Sequence, residues 1–407
     1  MRIGVVGLPR YKPLKQMILD QFGATRHDFL IVEEANREFI DQGLGGLAAP
    51  PNVRWKMVPG LEPDGVVDAL AGEGIARVTA LSDRGAIPAG RARERLRLPG
   101  MREAQEAWVV DKAAMRRRLA AAGLTRIATA ETNVDGLAET IARFELPVIV
   151  KPTRLGASIC VERIDTPAAI PAYVERCRAN RILNGGTLMI EPFVAGPELS
   201  VEGIVARGSI AFFGITESHT SGPPYYVGTG HDFFARHPER TAIEGFAARL
   251  IEALEMDDCP FHIELKIGAE GFETIEAHSR FGGAMIMQLV ERAAGVRAFA
   301  MLADALAGDA PVVPLAATAG LVCEHLLPIG EGRVEAIDLP ADLLAERRVV
   351  GHALDYAPGE VIEPNVLPVQ YAGYVAFEAS DRDDAARFRA KLDAGLLCRL
   401  EPLGGGR

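Results

Sequence analysis

The sequence lacks the features that mark secreted, membrane-embedded or nucleic-acid-binding chains. Cysteine is scarce: the five residues Cys160, Cys177, Cys259, Cys323 and Cys398 lie far apart, with no C-x-x-C pair and no zinc-ligand spacing. Reduced thiols in a cytoplasmic protein are therefore expected, not a disulfide framework. No charge-free apolar run reaches the roughly 18 residues that a membrane helix needs. The opening Met1-Arg2-Ile3-Gly4 runs into Lys12, Lys15 and Asp20, not into the apolar core of a signal peptide. Positive charge is also deficient, with 44 Lys and Arg against 55 Asp and Glu and a net charge of −11. A general nucleic-acid binder needs a basic face to displace counterions, so that class is excluded. A dinucleotide fingerprint is missing too, because Gly7-Leu8-Pro9-Arg10-Tyr11 stands where G-x-G-x-x-G would be required.

What is present is 407 residues of ordinary globular composition, 48% hydrophobic and 24% charged. At roughly 100–200 residues per domain this allows about two to four packed units. The first hundred residues alternate strand and helix, with residues 3–6 and 29–32 as buried strands and 13–22 as a helix, which predicts an open α/β layer. Residues 88–102, rich in Arg, Gly and Pro, read as a boundary loop, and 103–122 as one helix ending at Gly123. Residues 188–193, 199–206 and 210–215 are short strands between Gly and Pro turns, expected to share one antiparallel sheet. Residues 216–240 read as a connection longer than the ~12–15 residues usual in compact domains. Tyr225, Tyr226, His231, Phe233 and Phe234 give it the composition of a substrate-facing lid. A helix is expected over 289–307, strands over 321–327, 347–350 and 371–379, a last helix over 384–396, and a frayed end at 404–406.

The most informative segment is Phe261-His262-Ile263-Glu264-Leu265-Lys266-Ile267, followed by Phe272-Glu273-Thr274-Ile275-Glu276-Ala277-His278-Ser279-Arg280. Both halves alternate as strands with one buried face. A three-residue loop at Ala269-Glu270-Gly271 would pair Gly268 with Phe272, Lys266 with Thr274 and Glu264 with Glu276. Two carboxylates facing each other repel, so a cation is expected between them. Mg²⁺, held by one or two carboxylates together with substrate phosphates, fits that description. His278 and Arg280 share the face. The ordinary alternative is that Lys266 or Arg280 neutralises the glutamates on a solvated sheet face.

Further along the chain, Lys151 closes the apolar strand 146–152 and precedes Arg154-Leu155-Gly156-Ala157-Ser158, an ammonium with a small-residue loop able to cradle phosphate. Lys112 stands at a helix start, and the strand Met189-Ile190-Glu191-Pro192-Phe193-Val194 has a backbone able to meet an adenine edge. Glu198 is suited to ribose hydroxyls and lies on one strand face with Ser200 and Glu202. Taken singly, each also reads as a surface lysine, a buried strand or a solvated turn glutamate.

In this order the pieces resemble the ATP-grasp superfamily, in particular L-amino-acid ligases and carnosine-synthase-like ligases. The likeness is detailed over residues 107–310. It implies a multidomain α/β and α+β architecture with a Rossmann-like preATP-grasp domain at 1–106. ATP-grasp subdomains are implied at 107–186 (the lid) and 187–310 (the metal site), with a C-terminal α+β part at 311–407. The resemblance assigns Lys112, Lys151 and Ser158 to the ATP phosphates, Glu191, Phe193 and Val194 to adenine, and Glu198 to ribose. Glu264 and Glu276 are assigned to Mg²⁺, and His278 stands where many members carry an asparagine ligand. Arg280 matches the arginine that contacts the transferred phosphoryl group, and Gly228-Thr229-Gly230-His231 resembles the loop closing over the substrates. Lys151, His231 and Arg280 are thus the expected catalytic residues. An acidic anchor for a substrate amino group must come from elsewhere, since Gly228 stands three residues before His231.

The implied activity joins a carboxylate to an amine, both small molecules and amino-acid-like, through an acyl phosphate, with ATP and Mg²⁺. Two alternatives stay open: an ATP-grasp enzyme with another acceptor, such as a carboxylase or a purine-pathway ligase, and an ATP-binding pseudoenzyme. No nucleic-acid or membrane partner is expected, and a homodimer is the default assembly.

Overall fold

The computed structural model describes residues 1–35, 47, 49–180, 183, 185–313, 320–363 and 370–403. The expected frayed end at 404–406 lies outside them. The chain divides into two compact units. One consists of Met1–Arg126, Leu199–Thr216 and Ala235–Ala317, the other of Ile127–Glu198, Glu217–Phe234 and Thr318–Arg407.

The first unit begins with a parallel sheet in the order Val53–Val58, Asp28–Glu34, Arg2–Val6, Arg77–Ala80. Val5, Val6, Ile31 and Val32 are fully buried, as expected of a parallel sheet. The helix Asp83–Arg95 runs straight through Pro88, where the sequence suggested a loop. Proline removes one helical amide donor, but Ala86, Ala89 and Ala92 pack into the core of this α/β layer, and that burial decides. The helix starts hard against the sheet: a Cβ on Gly85 would lie 1.9 Å from the Val6 carbonyl oxygen, so only glycine fits. The expected single helix over 103–122 is two, Glu103–Val110 and Lys112–Ala121. Asp111 is extended (φ −104°, ψ 108°) and its carboxylate accepts from the Ala113 and Ala114 amides, so it caps the second helix instead of continuing the first.

The rest of this unit is antiparallel, with strands in the order Gly271–His278, Cys259–Gly268, Glu198–Ala206, Ser209–Thr220. The helix Arg240–Ala253 buries Ile243, Phe246, Ala247, Leu250 and Ile251 in the same core as Val201, Phe261, Ile263 and Leu265. The helix expected over 289–307 is split into Ile286–Ala294 and Ala298–Ala307 by Gly295, whose left-handed φ of 67° ends the first.

In the second unit, the strands Ala130–Thr132, Leu188–Pro192, Val148–Pro152 and Glu162–Ile164 form a sheet in that order, covered by Leu137–Ile141 and Ile170–Ala179. Leu188–Pro192 therefore does not share a sheet with Glu198–Ala206, because strand spacing alone does not say which neighbour a strand pairs with. The strands Gly228–Phe234, Leu321–Ile329, Gln370–Ala379 and Val349–Leu354 are antiparallel neighbours in that order, with the helix Arg382–Gly395 packed on their core. Residues 216–240 are thus not one long loop. The strand Ser209–Thr220 continues to 220, a turn closes with Ser221 N to Val227 O at 2.8 Å, and Gly228–Phe234 returns as a strand. Phe233 is fully buried, a core residue and not a lid residue. Among the described residues no helix is long and apolar enough to cross a membrane.

Candidate active site

The hairpin Cys259–Gly268/Gly271–His278 brings Glu264 and Glu276 directly opposite each other. The route differs from the expected one. Gly268 pairs with Gly271 across a two-residue loop, Lys266 with Glu273 and Leu265 with Thr274; Ile275 is then an extra residue, and this bulge restores the Glu264–Glu276 pairing. His262 pairs with His278 two residues further along, their rings stacked at 5.8 Å. One sheet face thus carries two carboxylates flanked by two imidazoles.

Basic side chains of the protein surround these carboxylates. Lys112, buried at the head of its helix, places Nζ 3.3 Å from Glu276 Oε1, and His278 Nε2 lies 3.1 Å from Glu276 Oε2. His262 Nε2 lies 2.9 Å from Glu264 Oε1 and its Nδ1 2.8 Å from Glu202 Oε1. Burial opposes a charge on His262, but hydrogen bonds to Glu202 and Glu264 and their negative charge push the imidazole up to about 9. Burial and the charge of Glu276 work against ionisation of Glu264, yet its hydrogen bond from His262 keeps it below the usual range. Lys266, the neutraliser suggested by strand alternation, instead faces Glu273, whose carboxylate receives Arg116 at 2.5 Å.

His278 and Arg280 also meet a residue that sequence reasoning missed. Asp83, first residue of the helix seated by Gly85, accepts from Arg280 Nε and Nη2 at 2.9 Å each and lies 2.9 Å from His278 Nδ1. Although burial opposes it, the charges of Arg280 and His278 hold the Asp83 carboxyl well below its ordinary value. Both ring nitrogens of His278 are occupied in this arrangement, by Asp83 and Glu276. Behind them, buried Arg93 donates to the Met101 and Val78 carbonyls and to Glu106, which also accepts from Ser279. This network fixes the strand end between His278 and Arg280. No motif pointed to Asp83 or Arg93. The signal that could have pointed to His262 is its place two residues before Glu264, on the same strand face.

The second unit carries the other expected residues. Lys151 and Glu191, on neighbouring strands and both buried, pair with each other at 2.6 Å. Ser158, at a left-handed φ of 55°, donates to the Tyr226 carbonyl at 3.1 Å. The Phe193 amide donates to the Pro147 carbonyl, and its ring lies under Arg163, 4.3 Å from the guanidinium carbon, with Tyr226 at 5.7 Å. Val194 is half-buried in the connection after Leu188–Pro192, and half-buried Glu198 opens the next strand. His231 is a strand residue whose Nδ1 lies 2.6 Å from Glu324 Oε2, and Glu324 is itself buried.

Residues 144–288 match the family model described as an ATP-grasp domain. This match includes Lys151, Glu191, Glu264, Glu276, His278 and Arg280. Among solved structures, the fold is similar to an L-amino acid ligase from Bacillus licheniformis, with a TM-score of 0.79 and 20% identity over 98% of each chain. It is also similar to N5-carboxyaminoimidazole ribonucleotide synthetase from Thermotoga maritima (TM-score 0.68, 17% identity, 98% of this chain and 99% of that one). A third likeness is to the biotin carboxylase domain of the Hydrogenobacter thermophilus 2-oxoglutarate carboxylase, in complex with MgADP, ADP and bicarbonate (TM-score 0.66, 12% identity, 98% and 90% covered). At these identities the likeness is one of fold. No curated protein matches the sequence.

The donor set fits a hard divalent cation. Two opposed carboxylates supply oxygen ligands, and Glu264 Oε2 accepts from nothing among the described residues. No group of three or more His, Cys, Asp or Glu side chains among them converges as a preformed cage. The opposed carboxylate pair suits Mg²⁺, which takes few protein ligands and completes its shell with phosphate and water.

Proposed function

We propose that this protein is an ATP-dependent carboxylate–amine ligase acting on amino acids or amino-acid-like compounds. The observation that carries the reading is the Glu264–Glu276 pair, opposed on one hairpin with Lys112 and Arg280 close by, inside an ATP-grasp domain. Lys112, Lys151 and Ser158 are assigned to the nucleotide phosphates, Glu191, Phe193 and Val194 to adenine, and Glu198 to ribose. Glu264 and Glu276 would hold Mg²⁺, which when bound neutralises phosphate charge. His278 is assigned to the same centre, and His231 to the substrates.

The chemistry needs no protein nucleophile. A substrate carboxylate oxygen attacks the γ-phosphorus and ADP leaves. The amine of the second substrate then attacks the acyl carbon, phosphate leaves, and the amine gives up a proton. The chain contributes position and charge. Arg280, a rigid fork of donors, holds phosphoryl oxygens as the charge moves, and Lys112 and Lys151 supply further positive charge. The pairing of Arg280 with Asp83 keeps the guanidinium oriented until an oxyanion competes for it.

The deciding experiment measures ADP and phosphate release with Mg-ATP over a grid of amino-acid pairs, with mass spectrometry of the products. Release that requires two substrates and gives an amide-mass product supports the ligase. Release that depends on bicarbonate moves the acceptor to the carboxylase type, and ATP binding without release with any pair overturns the enzymatic reading.

A further inference from the structure

Glu264 is one end of a buried hydrogen-bonded chain that the nucleotide and metal assignments do not use. Glu202 is fully buried, and both its oxygens are engaged: Oε1 accepts from Ser200 Oγ at 2.7 Å and Oε2 from Thr216 Oγ1 at 2.9 Å. Oε1 also meets His262 Nδ1 at 2.8 Å, and the opposite ring nitrogen, Nε2, lies 2.9 Å from Glu264 Oε1. Gly282 lies against the Nδ1 edge of the ring, where a Cβ would come 3.2 Å from Nδ1. We propose that His262, held by Glu202, Ser200 and Thr216, is a positioning residue for Glu264. It fixes one carboxylate oxygen so that the other is presented to the metal.

This rests on the reading of Glu264 as a metal-binding carboxylate. Stability alone does not call for the arrangement, because a buried ion pair is on balance no better than apolar packing of the same volume. What an apolar side chain cannot do is hold the carboxylate plane. A hydrogen bond to one oxygen from a ring itself clamped at its far nitrogen does so. Anchoring of this kind behind a metal ligand is worth about 10–100-fold in metal affinity.

The test is a Mn²⁺ titration of the full-length protein with a non-hydrolysable ATP analogue, free Mn²⁺ being counted by electron paramagnetic resonance. His262→Gln is expected to bind Mn²⁺ about 10–100-fold more weakly, with binding of metal-free nucleotide unchanged. Thr216→Val, which keeps every ionisable group and loosens only the far end of Glu202, is expected to show a smaller loss in the same direction. It decides the matter if His262→Gln does not fold. Wild-type Mn²⁺ affinity in the folded variants, while Glu264→Gln loses it, overturns the positioning role and leaves the metal reading intact. Wild-type affinity in Glu264→Gln as well overturns the metal reading, and the positioning role with it.

Discussion

Arg280 illustrates how much of the proposed chemistry rests on single side chains. Its Nε and Nη2 both rest on Asp83, so the guanidinium is oriented by the protein before any ligand arrives. Removing an aligned donor to a developing oxyanion costs on the order of 10²–10³ in rate. Arg280→Ala should therefore lose kcat on that scale while its Kd for ATP changes little; retention of more than about a third of the activity would remove it from the mechanism. Asp232 gives a prediction of another kind. Burial opposes its ionisation, but hydrogen bonds from His219 and Arg389, reinforced by the Arg389 charge, take it from 3.8 to about 2. The unfolded chain then binds the proton more tightly than the folded one. The stabilisation, about 2 kcal/mol, is complete above the unfolded value and is lost as pH falls through the folded one. Asp232→Asn should lower the urea midpoint at neutral pH and flatten the acid limb of the stability curve.

Among elements, the helix Asp83–Arg95 matters most to the site, because it delivers Asp83 at its first turn and Arg93 near its last. Arg93 and Glu106 are each about 1% exposed and paired, and Glu106 also holds Ser279. Removing one partner of a buried pair leaves the other charge uncompensated and typically costs 3–5 kcal/mol. Arg93→Ala should show that loss in denaturant melts, whereas Arg143→Ala, which removes an exposed i,i+4 pair with Glu139, should change stability by less than about 0.5 kcal/mol. The hairpin shows where reading from sequence succeeds and where it stops. Alternation placed the two glutamates on one face, and their opposition is observed. The loop length and the bulge at Ile275 are not local properties; they depend on the twist of the sheet in which the hairpin is embedded. The expected long loop over 216–240 failed for a related reason: Phe233 and Phe234 are buried residues of a strand, and composition alone does not separate a core aromatic from one that meets substrate.

For the molecule as a whole, the ligase reading predicts that nucleotide and metal stabilise the fold together. A ligand that binds only the native state at a hundred times its Kd adds about 2.7 kcal/mol. Mg-ATP should therefore raise Tm, chelation of the metal should reverse most of the rise, and Glu276→Gln should abolish the metal-dependent part. A melt in which wild type and Glu276→Gln respond alike would take Glu276 out of the metal site.

The sequence by itself determined the pieces whose chemistry is local. These are the carboxylate pair with its flanking His278 and Arg280, the strand-end Lys151 and the alternating strands and helices of the first hundred residues. Spacing along a strand fixes which face a side chain occupies, and capping fixes where a helix begins, so these features survive without knowledge of distant contacts. Only the tertiary structure decided that Asp83 meets Arg280 and His278 from nearly two hundred residues away, and that Glu202 clamps His262. It alone showed that Lys151 pairs with Glu191, and that Leu188–Pro192 and Glu198–Ala206 belong to different sheets. Those partnerships come from the packing of whole layers, and buried charges take whichever partner that packing brings within reach.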